Sequence, residues 1–415
     1  MKIQQLLQTA EENLKDIFAA IDENEVIRTR HILDAFRREQ ISYRHFAPST
    51  GYGYDDIGRD TLEKVFADIF HTEAALMRPH VASGTAALSL TLFGLTRPGE
   101  RILSATGMPY DTLQSVIGDP VSPQPGSLRE SGIEFDCVDL KNGQIDPERV
   151  EAAIRPETTL VIAQRSRGYA WRPSLMPSDF QALADMLHRK HPHIRLMVDN
   201  CYGEFVCRDE PSDYGADVCV GSMIKNPGGG IAPTGGYIVG KKDAVDRISY
   251  RLTAPGLGRE LGSYAASYRP FYQGLFMAPH TVAQALKTAV LASELFEMLG
   301  METTPSSREP RADIIQAIKL GSPERLVAFC QGIQTASPID SMALPEPWNM
   351  PGYQDPIVMA AGTFVAGASI ELSCDGPLRE PYTAYMQGGL TYSHGKIALQ
   401  EALQRMTDSG SLQIP

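Results

Sequence analysis

Three short segments carry residue types that could do chemistry together. The first, Ser83-Gly84-Thr85-Ala86, opens the apolar run Ala87 to Gly94. Small side chains at a helix start leave backbone N–H groups and the positive end of the dipole open to an anion, so the segment could cradle a phosphate or simply cap a helix. The second, Leu196-Met197-Val198-Asp199-Asn200, is an apolar run ending in a carboxylate. Asp199 could hold a proton on a ring nitrogen by favouring the cation, or cap the next turn. The third is Gly221-Ser222-Met223-Ile224-Lys225-Asn226-Pro227-Gly228-Gly229-Gly230. A lysine that ends an apolar run before a glycine loop differs from the solvated lysines of helix faces, although a snorkelling side chain remains open. Partial burial is expected to lower its pKa, which makes Lys225 a nucleophile toward an aldehyde and a base near neutrality. Ser222 could add a hydroxyl to a bound phosphate.

A phosphate cradle, a carboxylate for a ring nitrogen and an amine for an aldehyde are together what pyridoxal 5'-phosphate (PLP) asks of a protein. The elements that must position them are legible in outline. Short apolar runs, Arg101–Ala105, Thr159–Ala163, Arg195–Val198, Asp217–Val220 and Gly236–Val239, alternate with helical stretches from about Asp60 to Tyr250. This pattern predicts an α/β fold with a mostly parallel sheet, whose strands end where ligands bind. Ahead of it, Ile3, Leu6, Leu7, Ala10, Leu14, Ile17, Phe18 and Ile21 mark one helical face, and a second helix is expected from about Asn24 to Arg38. A long helix is expected from about Pro279 to Leu299, then a linker over Pro305–Arg311. Leu326–Gln331, Ile357–Val365 and Ala368–Ser373 suggest a smaller α+β unit. The domain reading is residues 1–46 as a helical segment packing with the small domain, 47–299 as the PLP-binding domain and 300–415 as the small domain.

Composition sets the outer bounds. The 415 residues, 43% hydrophobic with net charge -12, suit a soluble chain with two packed units and disfavour a polyanion partner. The six cysteines form no C-x-x-C pair, so neither a disulfide framework nor a zinc site is expected. No apolar run approaches the roughly 20 residues of a membrane helix, and no signal-peptide layout opens the chain. A cytoplasmic location is the resulting expectation.

Longer segments support a resemblance. Gly51-Tyr52-Gly53-Tyr54-Asp55-Asp56 with Gly58-Arg59, Arg97-Pro98-Gly99-Glu100, Pro109-Tyr110-Asp111-Thr112-Leu113, Arg165-Ser166-Arg167-Gly168-Tyr169 and Val198 to Phe205 are part of it. So are Gly221 to Tyr237, Thr253-Ala254-Pro255-Gly256, Gln273-Gly274-Leu275-Phe276 and Gln387-Gly388-Gly389-Leu390-Thr391. Across nearly its whole length the chain resembles fold-type I PLP enzymes of the aspartate-aminotransferase fold. Within them it is most similar to the methionine gamma-lyase-like family labelled cystathionine beta-lyase or aluminium resistance protein. Ala86 departs from the histidine usual there after Ser-Gly-Thr.

The resemblance implies roles. Lys225 would be the Schiff-base lysine and Asp199 the partner of the pyridine nitrogen. Ser83, Gly84, Thr85 and Ser222 would surround the phosphate, and Cys201 would stand beside the cofactor. Tyr110 would stack on the ring and serve as an acid near the leaving group, unless it is a core tyrosine. Gln164 and Arg165 would lie near the cofactor's phenolic oxygen. Arg379 would pair with the substrate carboxylate, unless it forms a surface salt bridge. Tyr54 and Arg59 would reach the phosphate of a neighbouring subunit, making a homodimer or homotetramer with shared sites. The implied reaction is elimination of a thiol from a sulfur amino acid of the methionine or cystathionine class. Transamination, retro-aldol cleavage and a non-catalytic binding protein on the same fold are the alternatives, because fold does not settle function.

Overall fold

The computed structural model describes residues 2–350 and 355–414. The chain opens with α1 (Lys2–Asn13) and α2 (Lys15–Arg38), which part at Leu14. The apolar stripe from Ile3 to Ile21 is therefore shared by two helices, and the second starts well before Asn24. Periodicity missed the break because Leu14 continues the stripe and is itself buried, with Leu7 and Ala10, among Phe329, Val358 and Leu399 near the C-terminus. Ile32 and Ala35 of α2 are buried instead beside Phe66 and Phe271.

Helix α3 (Ile57–Ile69) starts on Asp56, whose carboxylate accepts the Arg59 N–H at 3.0 Å. Strands and helices then alternate: β1 (Ala74–Arg78), α4 (Gly84–Leu95), β2 (Arg101–Ser104), α5 (Asp111–Ile117), β3 (Glu134–Cys137), α6 (Pro147–Ala153), β4 (Thr158–Gln164), α7 (Gln181–Lys190), β5 (Arg195–Asp199), β6 (Val218–Ser222), β7 (Gly236–Gly240) and α8 (Lys242–Leu252). These seven strands make one sheet, in the order β1-β7-β6-β5-β4-β2-β3. The run from β3 to β6 is parallel, and β7 lies antiparallel to both its neighbours. Val161, Leu196 and Val198 face one buried cluster and Ile162, Met197 and Val220 another, as a sheet covered on both faces requires. Strand β1 and the polar edge strand β3 had no clear signal in the sequence.

Helix α9 (Arg269–Met298) begins ten residues before the expected Pro279, which lies inside it. Burial of Phe271, Tyr272, Leu275, Ala278 and Val282 in the main core outweighs the roughly 3 kcal/mol that an interior proline costs. Then come β8 (Thr303–Thr304), β9 (Ile315–Lys319), α10 (Pro323–Thr335), β10 (Ile357–Ala360), β11 (Ser373–Pro377), β12 (Thr383–Gln387) and α11 (Tyr392–Asp408). Their strands form a second, antiparallel sheet in the order β10-β11-β12-β9-β8. Residues 305–311, read as a linker, connect two strands of that sheet. The apolar run Ala368–Ser373 is mostly a buried turn rather than a strand, because the Glu371 carboxylate accepts the Phe364 and Val365 N–H groups and folds the chain back. The architecture is the expected α/β class, a mostly parallel sheet with a smaller α+β unit. No described helix is long and apolar enough to cross a membrane.

Candidate active site

A cavity of about 570 Å³ opens over the carboxyl ends of β4, β5 and β6. Tyr110, Gln164, Asp199, Cys201, Tyr202 and Lys225 line it from the parallel sheet, and Ile315, Asp375, Arg379 and Tyr385 from the antiparallel one. Gln164 and Asp199 pair in register across β4 and β5, which fixes their separation without help from any loop. Lys225 leaves the end of β6 with Nζ 4.0 Å from the centroid of the Tyr202 ring. The loop that carries it is locked by packing. The Asn226 side chain donates to the Tyr202 and Glu204 carbonyls, both at 3.0 Å. A Cβ on Gly228 would stand 1.8 Å from the Met223 carbonyl oxygen, and one on Gly229 2.4 Å from that of Gly274 in α9. The glycine run thus lets the lysine loop fold onto a helix.

Charge in the site is governed by burial. Burial pushes the Asp199 carboxyl up, while Lys225 and the Cys201 N–H, which donates to Oδ1 at 3.1 Å, pull it back only in part. The Cys201 thiol is raised well above its ordinary value by burial and then by Asp199, so it is neutral. The lowered pKa expected for Lys225 is not found. Burial does push the ammonium down, but the acidic groups around it, of which Asp199 is the one that carries charge, push it further up, and the net direction is above the ordinary value. Tyr110 is also raised, by burial first and Asp199 second, so its phenol keeps its proton. Its oxygen lies 3.0 Å from Thr85 Oγ1, and its N–H donates to Gln164 Oε1 at 3.1 Å.

The α4 start meets this group at its edge. A Cβ on Gly84 would touch Ser222 Cβ at 3.3 Å and Cys201 Sγ at 3.4 Å, so only a glycine lets the helix end approach so closely without displacement. Ser83 Oγ is occupied as the cap, accepting the Ala86 N–H at 3.0 Å. The N–H groups of the first turn, the Thr85 and Ser222 hydroxyls, a buried carboxylate and a primary amine form a donor set that fits PLP, one in which the helix start would hold the phosphate, Asp199 the ring nitrogen and Lys225 the aldehyde.

Of the other expected site residues, Gln164 and Arg379 line the cavity, and Arg165, Arg59 and Tyr54 stand apart from it. Arg165 is fully buried and turned under the sheet, where Nη1 donates to Asn200 Oδ1 at 2.7 Å and pairs with Glu210 at 3.3 Å. It follows a strand end and points away from the cavity because side chains alternate across the strand. Gln164 lines the cavity, but its amide is engaged, accepting from Tyr110 and donating to the Ser166 carbonyl at 3.0 Å. Arg59 is 1% exposed and bonds Asp60, the Gly53 carbonyl at 2.8 Å and the Gly262 carbonyl at 3.3 Å. It braces the loop bearing Tyr54, which is 56% exposed. Arg379 lies at the cavity rim, about half exposed and paired with Asp355 at 3.0 Å.

Several lining residues were missed. Tyr202, with a left-handed φ of 72°, could have been suspected from its place just past the Asp199 strand end. Arg167 and Arg172, on the loop after β4, had the same weak signal. Asp375, whose carboxyl burial pushes up to about 7, and Tyr385 had none, since only the fold brings β11 and β12 to this cavity.

A parallel sheet with a lysine, a carboxylate and a phosphate-ready helix start at its carboxyl edge defines a fold-type I PLP-dependent enzyme. The chain matches the methionine gamma-lyase family model over residues 3–407 and belongs to that family. It is similar over 97% of its length to a carbon-sulfur lyase involved in aluminum resistance from Clostridium novyi NT, at 48% identity and TM-score 0.93, covering 96% of that chain. A Listeria innocua structure, described as a candidate cystathionine beta-lyase involved in aluminum resistance, matches over 97% of this chain and 99% of that one, at 48% identity and TM-score 0.95. YnbB of Bacillus subtilis, an uncharacterised protein, is 49% identical over 405 residues, 97% of this chain and 96% of that one. PLP is accordingly the cofactor, the general class is a PLP-dependent carbon-sulfur lyase and the substrate is an amino acid.

Proposed function

We propose that the chain eliminates a thiol from a sulfur amino acid of the methionine or cystathionine class, leaving a 2-oxo acid and ammonia. The observation that carries this reading is the convergence of Lys225, Asp199 and Tyr110 on one cavity at the carboxyl edge of the sheet. PLP, when bound, supplies an electron sink for the pair left behind by a departing α-proton. Lys225 Nζ, in its neutral amine form, is the group that takes that proton, held in place by the Asn226 clamp and the Tyr202 ring. Asp199, its carboxylate steadied by the Cys201 N–H at Oδ1, keeps a proton on the ring nitrogen. Tyr110, whose phenol burial keeps protonated, gives a proton to the departing sulfur and is steadied by Thr85 and Gln164. Water supplies the remaining atoms: methionine would yield methanethiol, 2-oxobutyrate and ammonia, and β-cleavage of cystathionine would yield homocysteine, pyruvate and ammonia.

We also propose that two copies share their sites, with Tyr54 reaching a neighbour's cofactor from the loop that Arg59 braces. The exposed, mutually packed rings of Tyr52 and Tyr54, 5.7 Å apart, support this reading. The deciding experiment is a screen of sulfur amino acids for paired thiol and 2-oxo acid release by the PLP-loaded protein. Equimolar release of both supports the lyase, and 2-oxo acid formed without thiol would point to transamination instead.

A further inference from the structure

Three arginines line the cavity, and their donors are committed very differently. Arg379 is 52% exposed and ion-paired with Asp355. Arg172 gives its donors to the carbonyls of Gln164, Ser166 and Pro173. Arg167 is 2% exposed, and Nη1 donates to the Thr304 carbonyl at 2.7 Å. Its Nε and Nη2 have no partner among the described residues. Those two nitrogens form the side-on edge of the guanidinium, the edge whose parallel N–H bonds match the two oxygens of a carboxylate. No acid among the described residues fills that edge, since nearby Asp313 engages the Ser174 hydroxyl and the Ile315 N–H. Burial pushes the Arg167 guanidinium below its ordinary pKa, as expected for a desolvated cation with no anion in contact. A buried charged donor left without a partner is costly, and a ligand that completes it gains accordingly.

We propose that Arg167, rather than Arg379, receives the α-carboxylate of the substrate, through a two-bond fork from Nε and Nη2. Arg167 is then the residue that distinguishes an amino acid from the corresponding amine. The inference rests on the proposed function only in taking the ligand to be an amino acid.

The test uses the PLP-loaded protein and two sulfur-free probes, L-norleucine and n-pentylamine, which share a carbon chain and differ in the carboxylate. Dissociation constants are read from the change in cofactor absorbance on titration. Arg167→Gln should raise the norleucine Kd roughly 30-fold and leave that of pentylamine within about threefold. Arg379→Gln should move neither by more than about threefold. Arg167→Lys, which keeps the charge and loses the fork, should raise the norleucine Kd about tenfold, and it carries the test if the glutamine variant fails to load cofactor. Unchanged norleucine binding in the Arg167 variants, an equal loss for pentylamine, or a large loss in Arg379→Gln would overturn the assignment. Failure of the lyase reading would show separately, as absence of thiol release by the wild type, and would leave these constants unmoved.

Discussion

Replacing Glu204 by glutamine tests the electrostatics beneath the lysine loop. Glu204 is fully buried, with one oxygen accepting the Tyr237 hydroxyl at 2.8 Å and the other without a partner among the described residues. Burial, the largest influence, raises its carboxyl from 4.5 to about 8. Between these values the native chain holds a proton that the unfolded chain has lost, so native stability falls as pH rises through the window. Each pH unit costs about 1.4 kcal/mol, which amounts to ~4 kcal/mol between pH 5 and 8. Glutamine keeps the Tyr237 bond and nearly the same volume, and it does not titrate. The stability gained by Glu204→Gln over wild type should therefore grow by about 1.4 kcal/mol per pH unit across the window and level off above it. Urea-unfolding midpoints of both proteins, saturated with PLP and measured in steps across that range, give the slope. A difference independent of pH would refute the neutral buried carboxyl.

Lys225→Ala should abolish the cofactor's bound-state absorbance and lower turnover by at least ~100-fold; full activity in that variant removes the lysine from the chemistry. Asp199→Asn keeps the Cys201 contact and should keep PLP bound, while α-proton exchange in deuterated water slows about 10- to 1000-fold, from the ~1–3 pKa units that an adjacent charge contributes. An unchanged exchange rate would assign the ring nitrogen to another group. Tyr110→Phe should slow thiol release ~100-fold with exchange nearly intact, and equal losses in both would make the phenol a support for binding rather than an acid. Mixing Lys225→Ala with Arg59→Ala should restore activity in hybrid dimers if sites are shared; a monomer by light scattering, or silent hybrids of verified composition, would count against it.

Much of this was legible in the sequence because local rules dictated it. An apolar run ending in Asp199, another ending at Ser222 before Lys225, and a small-residue helix start at Gly84 are strand and helix termini, and a parallel sheet sends such termini to one edge. The direction of a side chain beyond the terminus was harder to read. Gln164 and Arg165 are neighbours, yet one lines the cavity and the other is turned beneath the sheet into the Asn200 and Glu210 network. Lys225 shows the same limit in electrostatics: burial alone argued for a lowered pKa, and neighbours distant in sequence reversed it.

What the sequence determined by itself was the parallel α/β framework and the residues at its strand ends, since hydrophobic period and turn residues act over a few positions. Only the tertiary structure decided that Asp375 and Tyr385 face Lys225 across a cavity, that Pro279 lies within a continuous helix, and that Arg167 keeps an unpaired edge while Arg379 is paired. Those outcomes depend on which surfaces meet, and burial, desolvation and hydrogen-bond pairing are properties of the meeting rather than of either segment alone.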